Sequence, residues 1–453
     1  MGEVASGIAP VTGRARIEVL DVLRGLAILA IYYMNVTTQA SATTLLFADF
    51  RWIGWTPIDR VAWAFVTIFL EGTQRGVLEL LFGAGFMALT ARAMRPDGPV
   101  AVADLFYRRT LWLLFFGLVN VFVVLWVGDI LTVYALASLF LFPFRLLGPK
   151  ALLALGSLFA LFTAIGGATD YVPRLAMQAK VERAQAAQAA GRPVAKDDAK
   201  ALAEWNQKIA KRAPNEKMAK DLVKERKAHE GGWLPYASYY WNGWIKFMIG
   251  KGLLAMVVVE AFCAMLIGVA LWKWRIIQGA RSPRFYLGLL LATYGFGLTA
   301  RAIGVVELMP FLPTAKTIWV TQEAARIAVS IGHVAAVNLA MKTLAGTRLL
   351  HPFRAIGRMA FSVYFLEQII GLHFLFAPYG LNLWAKYGHA GQFAIATGVI
   401  VVSAIVANLW ARWFAIGPLE WAWRSLAYWQ RQPFRRRPDL VPEVLPGPTL
   451  VPA

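Results

Sequence analysis

From Ile17 to Val36 the chain is apolar over about the length of a membrane span, yet Asp21 and Arg24 stand inside the run. At ~1.5 Å per residue it reaches roughly 30 Å, the thickness of a hydrocarbon core. Comparable runs follow at 77–94, 108–127, 130–147, 150–168, 252–274, 285–306, 318–344, 357–377 and 392–416. They predict an all-α fold, a polytopic membrane bundle of about ten transmembrane helices. Asp59 to Gly72 is apolar but short, and Gly72-Thr73-Gln74-Arg75-Gly76 separates it from the next run, so it lies in the interface or re-enters the membrane. Between about Asp170 and Trp241 the apolar pattern gives way to Ala, Lys, Gln and Glu. Val181–Ala190 and Ala199–Lys227, with Gly191 and Pro193 between them, predict a solvated helical hairpin.

Polar residues inside the apolar runs are the candidate chemistry, because a charge in hydrocarbon is costly unless it is paired or faces a polar cavity. Asp21 and Arg24 are three apart and can pair across one turn. Asn35 follows Arg24 by eleven residues, on nearly the same face and about 16 Å further along the helix. This polar line is either an interhelical clasp or a functional site. Glu323, Arg326, Ser330 and His333 form a second stripe. His333 falls near mid-membrane, where a neutral imidazole serves as base, donor or proton carrier, or packs bonded to a hydroxyl or carbonyl. Arg108 and Arg109 stand at a helix mouth, suited to the anionic phosphates of a ligand or of lipid. Arg358 opens the ninth run, which carries Ser362, Glu367, Gln368 and His373. Glu367 and Gln368 are adjacent, so one meets another helix while the other lines a cavity. Asp129 is placed to cap the fourth helix, and Glu420 to Arg424 is an i, i+4 pairing.

Composition agrees with the pattern. The chain is 58% hydrophobic and 16% charged, with a formal net charge of +20, outside the soluble range. The basic residues gather in alternate loops: Arg14 and Arg16, Arg92 and Arg95, Lys273 to Arg284, Arg348 to Arg358, and Arg424 to Arg437. The short loops opposite hold Arg51, Arg60, Arg301, Lys316 and Lys386, and the long lysine-rich insertion does not count, because long loops translocate largely regardless of charge. This asymmetry, the way an inner-membrane protein records its orientation, places both termini in the cytoplasm, with the hairpin outside. No nucleic-acid motif accompanies the charge and no metal-ligand spacing occurs. The single cysteine, Cys263, excludes an internal disulfide. The first run is longer than a signal-peptide core and is expected to be retained. The expected organisation is a tail (1–16), an N-terminal bundle (17–168), an extracytoplasmic insertion (169–250), a C-terminal transmembrane domain (251–424) and a disordered tail (425–453).

Several segments together resemble the YeiB-like family of bacterial inner-membrane proteins. They are Arg16-Ile17-Glu18-Val19-Leu20-Asp21-Val22-Leu23-Arg24-Gly25, Leu81-Phe82-Gly83-Ala84-Gly85, and Gly128-Asp129-Ile130-Leu131 with Tyr134-Ala135. Met265 to Leu271, Gly357-Arg358-Met359-Ala360 with Tyr364 and Gln368, and Gly417-Pro418-Leu419-Glu420-Trp421 with Trp423-Arg424 complete the set. Phe361-Ser362 and Glu367 depart from the family's common pattern. The resemblance covers nearly the whole chain outside the tails and insertion, and implies a C-terminal domain of unknown function. The family in turn is similar to transmembrane acyltransferases of the heparan glucosamine acetyltransferase type. That likeness implies acyl-CoA as donor, no metal, and an envelope lipid or glycan as acceptor. It casts Arg24, Arg108, Arg109, Glu323, Arg326 and Arg358 as substrate-binding residues, with Asp21 fixing Arg24. In the acyltransferases a first-helix arginine is followed, after ten residues, by a catalytic histidine; here that spacing ends at Asn35. Asparagine orients or polarises but is no base at neutral pH, so His333 becomes the expected base. A transporter of a small anion or lipid and a non-catalytic scaffold are the alternatives.

Overall fold

The computed structural model describes residues 17–90 and 100–435. Arg14, Arg16, Arg92, Arg95, Arg436 and Arg437, the 1–16 tail and the end of the 425–453 tail lie outside the described residues.

Each predicted apolar run contains helix, and among the described residues the only extended pairing is one antiparallel bridge, Phe414 to Arg435. The fold is an all-α bundle. Six helices are long and apolar enough to cross a membrane, or seven if Ile318–Ala340 and Leu344–Arg358, bent by 119°, form one broken span. Ten full spans are not confirmed: Thr73–Thr90 and Ile318–Ala340 are long enough but too polar to count alone, and two other helices are too short. Ile130–Leu139 and Ala360–Ile369 have ten residues each, about 15 Å of helix, half a bilayer. The second of these runs on as a π-helical turn, Ile370–Leu375.

The first helix, Glu18–Ala40, packs against Thr73–Thr90, Leu344–Arg358 and His389–Trp413, so both ends of the sequence meet on it. Lipid offers no solvent to expel, so association rests on close packing by small residues. A Cβ on Gly25 would strike the Phe353 carbonyl oxygen, and one on Gly357 that of Asp21. Backbones therefore touch at this crossing. Thr73–Thr90 crosses Leu253–Lys273 in the same way, through Gly83 and Gly268.

The short Asp59–Gly72 run is a helix, Pro57–Phe65, opened by a Thr56–Asp59 capping box and continued by a π-helical turn, Val66–Leu70. Gly72 then adopts φ +72°, the left-handed turn that starts Thr73–Thr90.

The insertion departs from a simple hairpin. Its first arm is the extension of a membrane helix, Leu158–Ala189, continuous through Pro173. Its second arm is two helices, Lys196–Ala210 and Glu216–Glu230, interrupted at Ala213-Pro214 because proline disfavours helix in the residue before it. Val181, Ala201 and Trp205 form a small core between the arms, and Arg183 pairs with Asp198 at 2.9 Å. The insertion docks on the bundle where Glu225 accepts the Thr43 and Thr44 N–H groups (2.6 and 3.1 Å) and His229 stacks on Trp384 at 4.0 Å.

Candidate functional site

Three cavities follow one another through the bundle. The first, about 270 Å³, is lined by Arg24, Arg109, Arg358 and Arg424, with Glu420 as the one lining carboxylate among the described residues. The four arginines come from four helices: Glu18–Ala40, Val100–Phe122, Leu344–Arg358 and Pro418–Tyr428. Arg24 donates to Asp21 at 3.0 Å and to the Gly357 carbonyl at 3.4 Å. Arg109 lies over the Trp423 ring at 4.4 Å, and the Trp423 indole N–H donates to its backbone carbonyl at 2.8 Å. Glu420 accepts from the N–H groups of Phe361 (2.7 Å) and Ser362 (3.2 Å) and from the Ser362 hydroxyl (2.6 Å). It thereby caps Ala360–Ile369, where a carboxylate suits the helix dipole. The remaining walls are apolar: Ile28, Leu78, Leu81, Phe82 and Phe86 among them. A positively charged mouth on an apolar chamber fits an anionic head joined to an apolar group.

The second cavity, about 540 Å³, holds Asn35, Glu71, Arg75, Asp129, Glu260, Arg301, Glu323 and Arg326. Arg326 is its hub. It pairs with Glu323 (2.7 Å), Glu260 (3.1 Å) and Glu79 (2.8 Å), while Arg75 reaches Glu260 at 2.5 Å. Every member is largely buried, so each charge depends on its neighbours. Asp129 accepts from the Asn120 amide (2.8 Å) and from the Thr132 N–H (2.6 Å), which makes it the cap of Ile130–Leu139. Arg301 donates to the Thr67, Ile68 and Glu71 carbonyls, satisfying backbone groups that the π-helical turn leaves open. The Asn35 amide nitrogen is buried, with no hydrogen-bond partner among the described residues. An unmade bond of that kind costs roughly 1–3 kcal/mol, which an acceptor atom of a ligand would recover.

The third cavity, about 200 Å³, is lined by Tyr33, Phe50, Trp63, His389 and Phe393 and shares Met34, Thr38, Thr67 and Glu71 with the second.

The expected site residues are divided among these places. Arg24, Arg109 and Arg358 meet in the first cavity; Asn35, Glu323 and Arg326 meet in the second. Asp21 stands behind Arg24. Arg108, one position from Arg109, points elsewhere and pairs with Asp104 at 2.9 Å. His333 lines none of the three cavities. Its Nδ1 accepts from the Tyr294 hydroxyl at 2.6 Å, and Nε2 donates to the Phe69 carbonyl at 3.1 Å. Gln368 accepts from the Gln39 amide at 2.5 Å, and Tyr32 donates to Gln39 at 3.1 Å. Glu367 is fully buried, and neither it nor Gln368 lines any of the three cavities, where one of the pair was expected.

Arg75, Glu79, Glu260 and Arg424 are site residues that the sequence reading missed. Glu79 and Glu260 stand inside predicted spans, so the cost of intramembrane charge was the available signal. Arg75 stands in a glycine-rich break and Arg424 four residues from Glu420, positions that local pattern explains without a cavity.

Fold and cavities together define a polytopic α-helical membrane protein with an arginine-lined chamber on one side and a buried ion-pair network behind it. Residues 271–430 match the family model described as "Protein of unknown function (DUF418)". Along nearly its whole length the chain is similar to "Uncharacterized protein YxaH" of Bacillus subtilis (strain 168), at 28% identity over 95% of this chain and 99% of the relative. It is also similar to "Uncharacterized protein YeiB" of Escherichia coli (strain K12), at 25% over 90% and 95%. The chain is thus similar to YeiB and YxaH over nearly its whole length, as its motifs indicated. No solved structure matches it.

Proposed function

We propose that this protein is an inner-membrane acyltransferase that holds an acyl-CoA by its phosphates in the arginine cavity and passes the acyl group to a lipid or glycan hydroxyl in the acidic cavity. The observation that carries the reading is the convergence of Arg24, Arg109, Arg358 and Arg424 on one apolar chamber. The loop-charge asymmetry supports a cytoplasmic position for that chamber, where acyl-CoA is available.

In this reading the acceptor oxygen attacks the thioester carbonyl carbon, the C–S bond breaks, and the proton lost by the hydroxyl ends on the departing sulfur. Asn35 donates to the carbonyl oxygen as negative charge develops. Asp129 takes the proton in passing. It lines the cavity, and each of its oxygens keeps a second lone pair beside its bond to Asn120 or Thr132, whereas His333 lines none of the three cavities.

The test is calorimetric titration of acetyl-CoA into the purified protein in nanodiscs, beside Arg24→Ala and Arg424→Ala. Binding weakened in both variants is expected. Absence of binding by the native protein across several acyl-CoA lengths overturns the reading.

One observation favours a second reading, transport of an anionic lipid. The cavities share walls in series, as a pathway would. The two separate on product: transfer yields free CoA and a heavier acceptor, and transport moves its cargo unchanged.

A further inference from the structure

Ile130 and Tyr134 line both the arginine cavity and the acidic cavity, and the two linings have no other residue in common. They sit four apart, on one face of the short helix Ile130–Leu139. Tyr134 is buried. Its ring centroid lies 5.8 Å from that of Phe82, and its hydroxyl donates to the Arg75 carbonyl at 3.0 Å. Phe82 belongs to the wall of the arginine cavity, while Arg75 belongs to the ion-pair network through Glu260. Tyr134 is therefore attached on one side to each chamber.

We propose that Tyr134, backed by Ile130, is the gate between the two cavities, closed by its bond to the Arg75 carbonyl. For what passes, the inference rests on the acyl-transfer reading; for the barrier itself it rests on the shared wall alone. An acyl group held by the arginines ends against this ring, and it reaches Asn35 when the tyrosine swings away. The Arg75 carbonyl begins the turn that carries the Arg75 and Glu79 side chains. A ligand that rearranges their ion pairs thus acts on the gate's own latch.

The experiment reads passage without any acyl donor. A Gln322→Cys reporter, exposed at the acidic cavity, is placed in a Cys263→Ala background, which removes the single native thiol. A membrane-impermeant maleimide is applied to spheroplasts and to inverted vesicles. With Tyr134 in place, labelling is expected from one face only. Tyr134→Ala should add labelling from the arginine face, and Tyr134→Phe, which keeps the ring but loses the latch, should give an intermediate rate. Equal labelling from both faces in the native background overturns the gate. So does one-sided labelling that persists in both tyrosine variants when these run as monodisperse protein on gel filtration. Because no ligand is used, failure of acetyl-CoA to bind leaves this result intact and readable by itself.

Discussion

Arg326 donates to Glu79 at 2.8 Å across the interface of Ile318–Ala340 and Thr73–Thr90, joining residues that are 247 positions apart. The same guanidinium holds Glu323 on its own helix and Glu260 on a third. The network therefore locks three helices around the acidic cavity.

Removing its hub should cost more than removing any one spoke. Arg326→Ala leaves Glu323 without its ion pair and Glu79 and Glu260 to Arg75 alone, and is expected to destabilise by about 3–5 kcal/mol. Glu79→Gln, which keeps an acceptor and leaves Arg326 two carboxylates, should cost less. Denaturant unfolding of detergent-solubilised protein checks the order, and equal losses would mean that Arg326 is not the hub.

Gly357→Ala places a methyl against the Asp21 carbonyl in the tightest part of the first-helix crossing. Overpacking of this kind costs about 1–3 kcal/mol. Because Arg24 also leans on the Gly357 carbonyl, the variant should weaken acetyl-CoA binding as well as lower the melting temperature. Gly398→Ala is the control, since nothing lies within 4 Å of its added methyl and it lines none of the three cavities.

His229 makes insertion docking pH-dependent. Burial pushes its imidazole below the ordinary 6.5, against the opposing pull of Glu225. A depressed histidine means that the undocked form takes up the proton first. Its contribution is therefore complete above about 6.5 and is lost as the pH falls through the lower docked value. Limited proteolysis within 196–230 should accelerate between pH 7.5 and pH 5 in the native protein. In His229→Gln the acceleration should flatten, and an unchanged pH profile would show that another group controls docking.

Arg108 and Arg109 should differ sharply. Arg109→Ala is expected to weaken acetyl-CoA binding about tenfold or more, the loss of one charge-assisted contact. Arg108→Ala removes a half-exposed pair with Asp104 and should leave affinity within about twofold. Equal effects in calorimetry would place both side chains on the ligand.

Short-range relationships were legible in the chain. Asp21–Arg24 and Glu323–Arg326 pair at the spacing one helical turn allows, Asp129 caps the helix it precedes, and the apolar runs all contain helix. Each depends on neighbours within about four positions, where helical geometry is known before any fold is. The fully buried Glu367 and the doubly bonded His333 were not legible, because their surroundings come from distant segments.

By itself, then, the sequence determined an all-α membrane bundle, its YeiB-like relatives and the polar line on the first helix. Hydrophobic periodicity and the cost of intramembrane charge are local quantities. Only the tertiary structure decided that Arg109 and not Arg108 joins Arg24, that Arg75 meets Glu260, and that Tyr134 stands between two chambers. It also decided which apolar runs form helices as short as Ile130–Leu139. Adjacent residues on a helix point about 100° apart, and which of them faces a cavity depends on partners that lie hundreds of positions away.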